Sequence, residues 1–166
     1  MTVLQDCMNE FQNALQQGRI QKAYLGIIEF MQELRTHLSK KYPKGFTTGG
    51  FYQGYLDMSY FSFTPDSLKS TGLKIAIVFA YNNFRFEVWL AAGNKTIQKK
   101  YWDLFVESGW KKYHLVPEIQ GYDSIMEDVL IENPDFDDRQ LLVEIIEQKT
   151  ISFIENIEAF FSELKQ

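Results

Sequence analysis

The chain has 166 residues, of which 45% are hydrophobic, 16% aromatic and 23% charged, enough apolar material for a substantial core and too much for intrinsic disorder. Its longest unbroken apolar run, Ile75–Tyr81, is far short of the roughly 20 residues that span a bilayer; no secretory signal pattern opens it; and its single cysteine, Cys7, excludes an intrachain disulfide framework and a multi-thiolate zinc site. The net charge of −5 is unevenly spread, with 14 Lys/Arg against 9 Asp/Glu in residues 1–114 and 3 against 13 in residues 115–166, so the acidic C-terminal part disfavours nucleic acid.

In chain order, Leu4, Cys7, Met8, Phe11, Ala14 and Leu15 recur at three- and four-residue steps. That spacing predicts an amphipathic helix stopped at Gly18, with Cys7 as a small buried hydrophobe. A second helix is expected over Ile20–Lys41, with a stripe through Ile20, Tyr24, Ile27, Met31, Leu34 and Leu38 that ends at Tyr42-Pro43. Thr47–Gly50 is expected as a loop. The aromatic run Phe51–Phe63 is expected as one long strand, with Asp57 at its centre.

Leu73–Ala80 and Phe84–Ala91 form a predicted hairpin around Asn82-Asn83, a pair suited to positive φ. Taking these two as the loop makes Phe79 face Phe86, Ile77 face Val88 and Ile75 face Leu90. All six are large and apolar and lie on one face, and a one-residue slip would destroy the match. The other face carries Lys74, Ala76, Val78 and Ala80 against Ala91, Trp89, Glu87 and Arg85.

A helix is expected over Lys95–Glu107. Ser124–Ile131 fits a fourth strand better than a helix, although Ser124 and Glu127 have capping-box spacing. Asn133–Asp138 forms a turn, and a long helix follows over 138–164. Asp135, Asp137 and Asp138 lack the glycine and terminal glutamate of a calcium loop; acidic residues before a helix suit its positive end. The overall expectation is one cytoplasmic α+β domain, residues 1–166, with a three-stranded antiparallel sheet and the strand expected at 124–131 as a fourth.

No glycine-rich phosphate loop, dinucleotide fingerprint or nucleophile elbow occurs. His37 and His114 have no second histidine at ligand spacing. The absence of a convergent catalytic set points to a non-catalytic binding or protein-interaction module, with an unspecified protein or small ligand as partner. Neither a membrane nor a cofactor is implied, and assembly as a homo-oligomer is open. Its contact surface is expected at Tyr52, Tyr55, Tyr60 and Phe61, with Arg85 and Trp89 flanking Glu87.

The runs Phe51–Phe63, Leu73–Phe79, Arg85–Leu90, Gln98–Trp102 and Asn133–Phe136 resemble an uncharacterised family of small bacterial single-domain proteins. That resemblance implies a bacterial, cytoplasmic protein and transfers no catalytic residue. The element order from the second helix is also similar to the restriction-endonuclease-like core. This comparison implies an alternative: a magnesium-dependent nuclease-like enzyme in which Glu87 and Asp57 hold the metal and Gln98 lies on the following helix. The sequence departs from that pattern at Trp89, where a lysine would activate water, and at Val78, which faces Glu87. Lys74, Lys95 or Lys99 would have to replace the missing lysine.

Overall fold

The hairpin predicted at residues 73–91 is the centre of the sheet. In the computed structural model, which describes residues 3–166, β3 (Leu73–Ala80) and β4 (Arg85–Ala92) pair as Ile75↔Leu90, Ile77↔Val88 and Phe79↔Phe86. All six side chains are fully buried. The turn differs from expectation. Positive φ falls on Phe84 (49°) rather than on Asn82 or Asn83, and the Phe84 N–H donates to the Tyr81 carbonyl. A non-glycine residue in this region is held by its surroundings: the Phe84 ring packs edge-on against Phe79, with centroids 5.2 Å apart.

The aromatic run before this hairpin is not one strand. It divides into β1 (Phe46–Tyr52) and β2 (Met58–Pro65), so Thr47–Gly50 is strand rather than loop, and Tyr55 and Asp57 lie in a turn. Gly54 (φ 76°) and Leu56 (φ 65°) reverse the chain. The turn is closed by Tyr55 N–H donating to Asp57 Oδ1 at 2.9 Å and by Tyr81 N–H donating to the Asp57 carbonyl at 3.1 Å. Ser59 Oγ also donates to the Gln53 carbonyl.

Beyond β4 the sheet continues with β6 (Ser124–Glu132) and ends on the two-residue β5 (His114–Leu115). Among the described residues the sheet thus has six antiparallel strands, in the order β1-β2-β3-β4-β6-β5. The α+β class and the 124–131 strand agree with the sequence, but the sheet is wider than expected. Ser124 and Glu127 do meet, Oγ to Oε1 at 2.5 Å, on extended backbone and not in a helix cap.

The helices are α1 (Leu4–Gln16), α2 (Arg19–Lys41), the single turn α3 (Asp66–Lys69), α4 (Lys95–Glu107) and α5 (Arg139–Leu164). Phe30, Met31, Leu34 and Leu38 of α2, Tyr101 and Phe105 of α4, and Leu142, Ile146, Phe153, Ile154 and Ile157 of α5 pack with Ile75, Ile77 and Phe79 in one core. Helices therefore cover the sheet face that the hairpin register marked as apolar. Phe136, from the turn before α5, packs edge-on against Phe30 at 5.7 Å and tilted against Phe86 at 6.1 Å. Asp138 caps α5 by accepting from Leu141 N–H, and Asp135 accepts from Asp137 N–H, which gives these acids structural work. α1 is the exception among the long helices, because none of its side chains is buried. Cys7, expected in the core, is exposed. Among the described residues no helix is long and apolar enough to cross a membrane.

Candidate functional site

Strand alternation turns Ala76 and Val78 of β3, and Glu87 and Trp89 of β4, away from the core. None of these belongs to the helix-covered cluster. β1 adds to this second face through a bulge. Thr48 pairs with Phe63 and Phe51 with Phe61, so Gly49 and Gly50 together oppose the single residue Ser62. Unbulged pairing would set Tyr52 against Ser59, on the core side. The bulge sets it against Tyr60 instead, with ring centroids 5.0 Å apart at 34°. A Cβ at position 49 would meet Ser62 Oγ, so any larger residue there would force the Ser62 hydroxyl to turn. The bulge is anchored from the helix side, where Arg35 Nε donates to the Gly49 carbonyl at 2.6 Å.

Between these aromatics the rung Ser62–Ala76–Trp89 is small on two strands and large on the third. The result is a groove of about 450 Å³ with Tyr52, Tyr60 and Trp89 as walls, Ala76 and Ser62 in its floor, and Lys74 at its edge. Asp123, just before β6, also lines it. The Tyr52 phenol is pushed up from its ordinary pKa, first by desolvation and then by the Asp57 charge, so it is a neutral donor near pH 7.

Beside the groove, Glu87 is 4% exposed, more deeply buried than a partly exposed strand residue would be. Arg85 Nε donates to its Oε1 at 2.7 Å, and Trp89 Nε1 donates to its Oε2 at 2.6 Å. The i, i+2 spacing of a strand puts all three side chains on one face. Arg85 also reaches Glu132 at 3.2 Å, and the Glu87 hydrogen bond holds its guanidinium above its usual pKa. Both Glu87 oxygens are thus occupied by protein donors, which satisfies a buried carboxylate without a metal.

Of the expected contact residues, Tyr52, Tyr60, Arg85 and Trp89 share this face. Tyr55 lies apart at the β1–β2 turn, 89% exposed, and Phe61 is fully buried in the core. The three nuclease-type candidates are not brought together. Glu87 lies opposite Val78, which lies opposite Tyr60, so two strand spacings, roughly 10 Å, separate it from β2, and Asp57 is a further three residues along. The Asp57 carboxyl is held below the usual carboxylate range by the backbone amides of Tyr55 and Met58. Gln98 is buried on α4, donating from Nε2 to the Tyr122 and Ser124 carbonyls at 2.9 Å each; it ties α4 to the start of β6.

A second polar cluster was not foreseen from the sequence. Glu147 of α5 accepts from His37 Nε2 at 2.7 Å, Lys41 Nζ at 2.5 Å and Tyr42 Oη at 2.7 Å. The partners lie more than 100 residues away in the chain, so no local spacing could signal it. The groove was partly legible: Lys74, Ala76 and Trp89 share a face of the predicted hairpin, but Ser62 enters only through the β2–β3 pairing, Tyr52 through the bulge and Asp123 through the start of β6.

No curated protein and no solved structure matches the chain, so neither supports the comparison with endonucleases. A family model described as a domain of unknown function (DUF7000) matches residues 4–161, and the chain belongs to that family.

Proposed function

We propose that the protein is a non-catalytic binding module of the bacterial cytoplasm that takes a small ligand with a flat ring on the helix-free face of its sheet. One observation carries the proposal: the Gly49-Gly50 bulge places Tyr52 beside Tyr60, and with Trp89 they wall a groove of about 450 Å³. That volume lies within the range of small-molecule sites, which are mainly apolar or aromatic with a few polar groups that fix orientation. Tyrosine and tryptophan faces stack on planar rings, and Lys74, Ser62 and Asp123 supply a cation, a hydroxyl and an anion around them. Glu87 contributes structure instead of chemistry, since Arg85 and Trp89 already take both its oxygens. A free, exposed Cys7 suits a reducing compartment, and the bacterial assignment rests on the family resemblance of the sequence.

The test is a two-dimensional amide NMR titration with small aromatic acids, nucleobases and monosaccharides. Shifts clustered at Tyr52, Tyr60, Lys74 and Trp89, and lost in Trp89→Ala, are expected. Binding that maps to another surface, or that survives Trp89→Ala unchanged, overturns the proposal.

A further inference from the structure

We infer that α1 is the seat of an antiparallel two-fold contact between two copies of this chain. The helix is 13 residues long and none of its side chains is buried, yet it carries a full apolar stripe. Leu4 is 70% exposed, Met8 52% and Phe11 50%, and Leu15 continues the line. Helices of this length are marginal in water without a partner for their apolar face, and a stripe left open on a folded chain marks a contact surface.

The order of the stripe selects the occupant. Leu4, Met8, Phe11 and Leu15 are spaced by four, three and four residues, the same read in either direction. An antiparallel two-fold therefore sets Leu4 against Leu15 of the other copy and Met8 against Phe11, which is the self-complementarity that an isologous interface requires. The positions that flank the stripe, Gln5, Gln12 and Gln16 on one side and Cys7 and Ala14 on the other, are uncharged, while Asp6 and Glu10 lie on other sides of the helix, so no like charges meet across the two-fold. The groove along the stripe is lined by Met8, Phe11 and Leu15 with the uncharged Gln5, Gln12 and Gln16. A charged partner helix would find nothing there to pair with. A membrane surface fits worse, since α1 contains no Lys or Arg and interfacial helices rely on them. A stable interface needs about 600 Å² from each copy at its lower limit, so the contact takes in the flanking Gln5, Gln12 and Gln16 together with the apolar stripe.

Sedimentation velocity across a wide range of protein concentration tests this on the full chain. A monomer–dimer equilibrium is expected. Phe11→Glu should raise the dissociation constant by about 30-fold or more, the effect of losing a central interface anchor, while far-UV circular dichroism shows the sheet and remaining helices intact. Because position 8 faces position 11 of the other copy, Met8→Glu/Phe11→Lys should recover much of the lost association. A protein that stays monomeric throughout, a dimer indifferent to Phe11→Glu, or a double variant no tighter than Phe11→Glu overturns the inference.

Discussion

The Trp89 indole N–H donates to Glu87 Oε2 at 2.6 Å, from two residues further along the same face of β4. The contact joins a groove wall to the carboxylate that Arg85 neutralises, so the aromatic surface and the buried ion pair form one unit. A carboxylate this deeply buried is stable only while its donors remain.

Arg85 and Glu87 are consequently unequal. Removing Arg85 strands a buried anion and should cost about 3 kcal/mol. Glu87→Gln keeps an acceptor for Trp89 and leaves Arg85, whose side chain is 28% exposed, with Glu132 and water; the cost should be about 1 kcal/mol. Urea unfolding of Arg85→Ala and Glu87→Gln measures both values, and the reverse order would contradict this account of the site.

Gly54 controls the placement of Tyr52 through the turn that follows β1. Its φ is 76°, and a Cβ there would collide with the Met58 backbone carbonyl. Gly54→Ala should cost about 1–3 kcal/mol and disturb the Tyr52–Tyr60 pair. Gly50→Ala is the control, because nothing lies within 4 Å of its Cβ position. Comparable losses of melting temperature in the two variants would count against this role for the turn.

Acid should loosen the junction of α2 and α5 through Glu147. Burial drives its carboxyl up, but hydrogen bonds from Lys41, His37 and Tyr42 outweigh that and hold it below its ordinary value of 4.5. A lowered folded-state pKa adds stability that is present above pH 4.5 and is lost as pH falls through the folded value. Glu147→Gln should flatten the acid limb of the stability–pH curve. Tyr42, pushed up to about 12 by desolvation and then by Glu147, acts in the opposite direction: its contribution is complete below pH 10 and fades as pH rises toward 12. Ultraviolet titration of Tyr42→Phe against the unsubstituted protein should show the loss of one late-ionising phenol.

The hairpin at 73–91 was legible to the residue because its register depends on local facts: a two-residue period, a short turn and six apolar side chains that agree in only one alignment. The long helices were legible for the same reason, through their three- and four-residue spacing. The run 51–63 was not, because aromatic residues favour strands wherever they fall; what breaks the run is the reversal at Gly54 and Leu56, both at positive φ, which lets β1 fold back on β2.

Periodicity alone determined which faces of this protein are apolar, since that depends only on the geometry of helix and strand. Whether each face is covered was decided by tertiary structure. α1 and α2 both read as amphipathic, yet α2 packs Phe30, Met31, Leu34 and Leu38 into the core while α1 buries nothing. Glu87 likewise shows its face in the sequence but not its burial, which Arg85 and Trp89 provide by closing over it. Burial is a property of what lies opposite, and residues distant in the chain meet only once the sheet has formed.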